Sequence, residues 1–212
     1  MRLLALLLAA SLTGGCSNWA NQYGTAPEKV DRGENTMEVV LPPNAPAIWQ
    51  HYRPLSGNKD QKDVGNEHLG IDILATVGTP VIAPAGGRVV GSYFEPLYGN
   101  HIVIDHGREE AGLRVHTRFL HLQERLVDKG ETVARGQQIG TVGRTGVLAG
   151  LIPHLHFELA REIDSGRVEA MDPNIYWMGG VGVVTCFDKT AEWPDEPFRT
   201  VYPVICRDVE WR

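Results

Sequence analysis

Several features that would steer the argument elsewhere are scarce or missing in this chain. It has three cysteines in 212 residues, Cys16, Cys186 and Cys206. None has the close-spaced partner that a cysteine zinc site requires, so these thiols do not read as metal ligands. The apolar run Leu3 to Leu12 is about ten residues long, against the roughly 20 that a membrane-spanning helix needs. Acidic residues outnumber basic ones, 26 to 20, for a net charge of −6, and no basic run or aromatic-basic patch suggests nucleic acid. There is no internal repeat, and no long amphipathic helix between residue 68 and about 160. With 42% apolar residues the chain still has enough to build a core, of a size that suits one domain with extensions.

The N-terminus points to export. Arg2, the short apolar run and the small residues after it read as a secretory signal over residues 1–15. Leu12-Thr13-Gly14-Gly15-Cys16 resembles a bacterial lipoprotein signal, which implies that Cys16 becomes the lipidated first residue of the mature chain. Ser17 is not the aspartate that retains many lipoproteins at the inner membrane, so the expected location is the periplasmic face of the outer membrane. Residues 16–46 are polar and proline-bearing and read as a lipid-anchored tether. Cys186 and Cys206 form an even pair in an oxidising compartment, readable as a disulfide or as two buried thiols until their separation is known. Residues 178–212 form a C-terminal extension with Trp193, Phe198, Tyr202, Trp211 and three prolines, expected as a strand-and-loop strap.

Between these segments, residues 47–177 carry the β signals. Short alternating runs such as His101 to His106 and Val115 to Leu122 are punctuated by glycines at 130, 136, 140, 143 and 146. The expected fold is mainly β, a single domain built on an antiparallel sheet. Side chains alternate faces along a strand, which puts His154, His156 and Glu158 on one face and Leu155, Phe157 and Leu159 on the other. The same parity groups His68, Gly70 and Asp72. It also places His121 on the face of Val115, Thr117 and Phe119. A charged loop, residues 57–67, leads directly into His68.

An ordered series of motifs then resembles the LytM/lysostaphin-type zinc metallopeptidases. It begins with His68-x3-Asp72, Gly78-Thr79-Pro80-Val81 and Gly87-x-Val89-Val90, and continues with Tyr98-Gly99-Asn100 and Ile104-x-His106-Gly107. Leu120-His121-Leu122, Gly136-Gln137-x-Ile139-Gly140 and His154-Leu155-His156-Phe157-Glu158 complete it. One departure is His51-Tyr52-Arg53, which lacks the glycine of the family's Phe/Tyr-Gly-x-Arg turn and bears on groove shape. The resemblance implies a LytM/lysostaphin-like fold with an open substrate groove and His68, Asp72 and His156 as zinc ligands. It leaves His121 and His154 beside the metal as the catalytic histidines, without dividing their roles. Two imidazoles and one carboxylate suit Zn²⁺, and a metal so held lowers the pKa of bound water from 15.7 towards about 7. Imidazole, with an ordinary pKa near 6.5, can remove or deliver protons under the same conditions.

His51, His101, His106 and His116 fall outside the ligand motifs. Asp105 and Glu158 read either as carboxylates orienting the ligands or as ordinary strand residues. The resemblance implies a zinc-dependent endopeptidase that hydrolyses peptide cross-links of peptidoglycan, with peptide stems as its partner and the membrane reached through Cys16. Two other readings stand beside it, a non-catalytic activator or scaffold of wall hydrolases and a zinc peptidase acting on other peptides. The sequence names no protein partner.

Overall fold

The computed structural model describes residues 22–24, 27–31, 36–54, 67–164 and 166–212. The signal segment 1–15, Cys16 and most of the charged loop 57–67 lie outside the described residues. Among the described residues no helix is long and apolar enough to cross a membrane.

The strands are β1 (Glu28–Asp31), β2 (Thr36–Val39), β3 (Ile48–Gln50), β4 (Ile71–Leu74), β5 (Pro80–Ile82), β6 (Gly87–Glu95) and β7 (Gly99–Arg108). They continue with β8 (Arg114–Leu122), β9 (Glu124–Arg125), β10 (Thr132–Val133), β11 (Gln138–Thr141), β12 (His154–Asp164) and β13 (Arg167–Met171). The main sheet runs β10-β6-β7-β8-β12-β4-β3, with β13 added beside β12. A three-stranded sheet runs β5-β11-β9, and β1 pairs with β2. All of these pairings are antiparallel.

Strand β12 organises the main sheet. One of its edges pairs with β8 over most of its length, while β4 and β13 share the other. Residues directly opposite each other in an antiparallel pair lie on the same face, so the register sorts side chains across three strands at once. Phe157 faces Ile71 on β4 and Phe119 on β8, and all three are fully buried. His156 faces Asp72, and Glu158 faces Arg118, on the opposite surface. Alternation thus sends the apolar set into the core and the titratable set to the open face.

Beneath the sheet, rings of the core follow one another from Phe119 to Phe157 (5.4 Å between centroids), Trp177 (6.4 Å) and Tyr202 (5.8 Å). Each buried aromatic of this kind contributes roughly 1.5–3 kcal/mol by leaving water. Tyr202 belongs to the C-terminal extension, and its hydroxyl donates to the Pro46 carbonyl at 2.8 Å. The extension is therefore part of the core. It is a strap of loops without a strand of its own, held by isolated bridges such as Val81 with Val204, because its prolines interrupt a regular ladder. Cys186 and Cys206 are joined within it, with Cα atoms 5.9 Å apart.

Residues 36–46, which composition groups with the tether, also pack into the body of the fold. Val39, Leu41 and Ala45 are buried in the main core, and the Val40 amide donates to the Gly182 carbonyl. The alternation of Met37 and Val39 inward with Thr36 and Glu38 outward accounts for this.

Candidate metal centre

The donor residues come from three separate pieces of chain. Asp72 sits in the middle of β4, opposite His156 on β12. His68 is not part of β4. It lies in a bend before that strand, its backbone paired with Arg53 in both directions (2.9 and 3.1 Å). The expected strand parity from His68 to Asp72 therefore does not hold, and His68 reaches the cluster from its own bridge. Gly70 makes this route possible, since a Cβ there would stand 2.3 Å from the Phe157 carbonyl oxygen. Only a residue without a side chain can pass that close to β12.

The three side chains meet closely. His68 Nε2 lies 3.1 Å from Asp72 Oδ1 and 3.1 Å from His156 Nδ1, and His156 Nδ1 lies 2.7 Å from Asp72 Oδ1. Tetrahedral zinc with ligands at about 2.0–2.1 Å separates its donors by roughly 3.3 Å, so an opening of about 0.2–0.6 Å accommodates the ion. The second nitrogens agree with this use. His68 Nδ1–H donates to the His51 carbonyl at 2.9 Å, which leaves the Nε2 lone pair facing the cluster. His156 Nε2–H donates to Glu158 Oε1 at 3.1 Å, which leaves Nδ1 facing it. Two nitrogens, each on a ring whose other nitrogen is occupied elsewhere, and a carboxylate oxygen fit a zinc ion.

Electrostatics reinforce the cluster. Burial works against ionisation of Asp72, but hydrogen bonds from His156 and His68 outweigh it and hold the carboxyl below the usual carboxylate range. Burial likewise disfavours the His156 imidazolium, and hydrogen bonds to Asp72 and Glu158 raise its pKa to about 9, so the Nδ1 proton shared with Asp72 is the one that a metal ion would displace.

His121 and His154 stand beside this group. Their rings are 5.0 Å apart, and His154 Nε2 is 3.7 Å from Asp72 Oδ1. His154 Nδ1–H donates to the Ile152 carbonyl at 2.8 Å, and His121 Nδ1–H to the Thr145 carbonyl at 2.9 Å. In both rings Nε2 is the nitrogen left for chemistry. Burial lowers the His121 pKa to about 4, against the hydrogen bond to Thr145, so the ring is neutral near pH 7.

His121 does not share the face of Phe119. Its φ is 63°, a left-handed conformation at the end of β8 that reverses the alternation and turns the ring from the core face to the site. Such a backbone costs on the order of 1–3 kcal/mol in a residue with a side chain. The His121 amide bonded to the Tyr98 carbonyl at 3.0 Å helps hold it.

The other candidates separate clearly. Glu158 is buried and bonded to His156 and Arg118, whereas Asp105 pairs with Arg114 and accepts from the Gly107 amide, away from the ligands. His106 bridges the Gly86 carbonyl and the Thr117 hydroxyl, His101 packs on Tyr93, and His116 stands 3.9 Å from Glu162. His51 enters through its backbone carbonyl, a contribution with no signal in residue type. Arg118 likewise carries no signal in residue type, because its partnership with Glu158 depends on register across 40 residues.

Beside the donors a cleft of about 360 Å³ opens, with Asp72 and His154 on its floor and Trp49, Leu148, Leu151 and Ile152 among its walls. A pair of imidazoles, a three-donor centre and an adjoining cleft are the parts needed for metal-assisted hydrolysis of an extended substrate.

Comparison with known proteins matches residues 66–173 to the family model described as Peptidase family M23. Peptidoglycan DD-endopeptidase ShyA of Vibrio cholerae serotype O1 is 46% identical over 109 residues, covering 51% of this chain and 23% of ShyA. Peptidoglycan DD-endopeptidase ShyB of the same organism is 42% identical over 148 residues, covering 66% of this chain and 33% of ShyB. The chain thus spans a third or less of the length of these relatives. The structure of the antimicrobial peptidase lysostaphin from Staphylococcus simulans superimposes with a TM-score of 0.52 at 28% identity, covering 72% of this chain and 58% of that one.

Proposed function

Since this chain belongs to peptidase family M23, a family of zinc metallopeptidases, we propose that it is an endopeptidase that hydrolyses peptide cross-links of peptidoglycan. The observation that carries this reading is the convergence of His68, Asp72 and His156, with the free Nε2 atoms of His121 and His154 turned to the same place. The substrate class follows from the two Vibrio relatives, each named for peptidoglycan DD-endopeptidase activity. In a bacterium with an outer membrane, that points to the bond between D-alanine and meso-diaminopimelate.

His68, Asp72 and His156 would hold the zinc, which when bound supplies Lewis-acid activation of water and of the scissile carbonyl. The Nε2 atoms of His121 and His154 both start as proton acceptors: one takes the proton of the attacking water, and the imidazolium so formed returns it to the departing amine. Their Nδ1–H bonds to main-chain carbonyls fix ring orientation, so neither imidazole must reorganise when substrate arrives. The cleft lined by Trp49 and Leu148 positions the peptide strand and excludes water from one side of the centre.

The periplasmic location belongs to the same proposal. Residues 1–15 serve as signal peptide and Cys16 as lipid attachment point, tethering the enzyme to the periplasmic face of the outer membrane, with the pattern Leu12 to Cys16 as support.

Muropeptide analysis of purified sacculi tests the activity. The expected result is loss of cross-linked species on incubation with the zinc-loaded protein and no loss in the presence of a chelator. Unchanged cross-linking in both, with full zinc occupancy, would favour the non-catalytic activator. Cleavage of free peptides but not of sacculi would favour a general zinc peptidase.

A further inference from the structure

Glu158 is a buried carboxylate outside the donor set, and neither of its oxygens is idle. Oε1 accepts from His156 Nε2–H at 3.1 Å, and Oε2 accepts from Arg118 Nη1–H at 2.7 Å. Its side chain is 8% exposed and that of Arg118 33%. The β12–β8 register sets Glu158 directly opposite Arg118, and the backbone of Gly70 packs along the stem of the Glu158 side chain, since a Cβ there would be 3.0 Å from Glu158 Cγ. The result is a fixed series: metal-facing Nδ1 of His156, its Nε2–H, the carboxylate, the guanidinium.

We infer that Glu158 and Arg118 are positioning residues for the metal centre: Glu158 fixes the tautomer and ring angle of His156, and Arg118 acts through Glu158 by holding its carboxylate in place. This rests on the zinc-site reading above. A carboxylate behind a ligating imidazole makes the ring a better donor, and loss of such a partner typically weakens metal affinity 10–100-fold. A carboxylate that accepts from a histidine on one oxygen and from an arginine on the other is held in its plane, because rotation would break both hydrogen bonds together.

The sign of the Arg118 effect separates this role from plain electrostatics. Removing a cation near a dication should tighten metal binding if only charge matters. Removing the group that holds Glu158 should loosen it. The test measures zinc affinity by competition with a chromophoric chelator in wild type, Glu158→Gln, Arg118→Met, Arg118→Lys and the Glu158→Gln/Arg118→Met double variant, with thermal melts of each zinc-free protein alongside.

The expected results are a weakening of about tenfold or more in Glu158→Gln and a weakening in Arg118→Met. The double variant should be no weaker than Glu158→Gln alone, because two residues that act in series are not additive. Arg118→Lys, which retains a donor, should recover most of the affinity. Tighter zinc binding in Arg118→Met, or unchanged affinity in Glu158→Gln whatever its melting temperature, would overturn the inference. Additive losses in the double variant would show that Arg118 does not act through Glu158. Failure of the zinc-site reading looks different: wild type would bind no stoichiometric zinc, or Asp72→Ala would bind it as tightly as wild type.

Discussion

Gly70 passes the Phe157 carbonyl so closely that a single methyl group would not fit, at 2.3 Å from the oxygen. That contact sets the bend carrying His68 against the strand carrying His156. Gly70→Ala must push the two apart, and overpacking of this kind typically costs about 1–3 kcal/mol. The expected outcome is a lower melting temperature together with weakened zinc binding, read by thermal melt and chelator competition. Wild-type values for both would mean that the bend can move without disturbing the donors.

Substitution of the donors themselves should separate metal loss from unfolding. Asp72→Ala and His156→Ala are expected to abolish zinc stoichiometry in purified protein while circular dichroism stays β-type. Elemental analysis showing full occupancy in either variant would remove that residue from the ligand set.

For His121 and His154 the expectation is the reverse. Alanine at either position should leave zinc in place and lower turnover roughly 10²–10⁴-fold. The pH profile adds a second readout for His121. Its pKa is lowered to about 4 by burial, so the neutral form persists through pH 6–8 and protonation begins only as pH falls towards 4. An acid limb assigned to His121 therefore lies near pH 4. A limb near pH 6.5 that disappears in His121→Ala would contradict the buried environment described for it.

His106 offers a test of stability with no bearing on catalysis. Burial lowers its pKa to about 4, against the hydrogen bond to the Gly86 carbonyl. The folded state therefore binds the proton less readily than the unfolded chain, whose histidine titrates near 6.5. The stability this contributes is complete above pH 6.5 and is lost as pH falls from there towards 4, up to about 3 kcal/mol in all. Melting temperatures of His106→Asn should be lower at pH 7 and less steep between pH 6.5 and 4. An unchanged slope would show that the titration lies elsewhere.

Opening the Cys186–Cys206 bond releases a loop with a sequence separation of 20. Chain entropy for such a loop is worth about 3 kcal/mol. The double serine variant should melt roughly 6–12 °C below wild type. Differential scanning calorimetry under non-reducing conditions measures it, and a shift below about 2 °C would mean that the packing of Tyr202 and Val204 already holds the strap.

The β class and the grouping of His154, His156 and Asp72 were legible in the sequence, because strand parity is local and the motifs are short. His121 was misplaced by that same parity, since nothing in Leu120-His121-Leu122 announces a left-handed residue. Residues 36–46 look like linker by their prolines, yet the inward side chains Val39, Leu41 and Ala45 meet the core through contacts far along the chain. Arg118 and the His51 carbonyl lay out of reach for a related reason. Cross-strand partners and backbone acceptors depend on register, which residue types alone do not encode.

The donors are widely spaced along the chain, with His156 88 residues after His68. A ribosome makes His68 and Asp72 well before the third donor, and that donor arrives only when β12 slots between β8 and β4. A chain ending before β12 therefore holds two donors at most and lacks His154, which shares the floor of the cleft with Asp72. The complete donor set thus forms in one step, with closure of the central sheet, and on the proposed function a chain ending before β12 would have no hydrolytic activity.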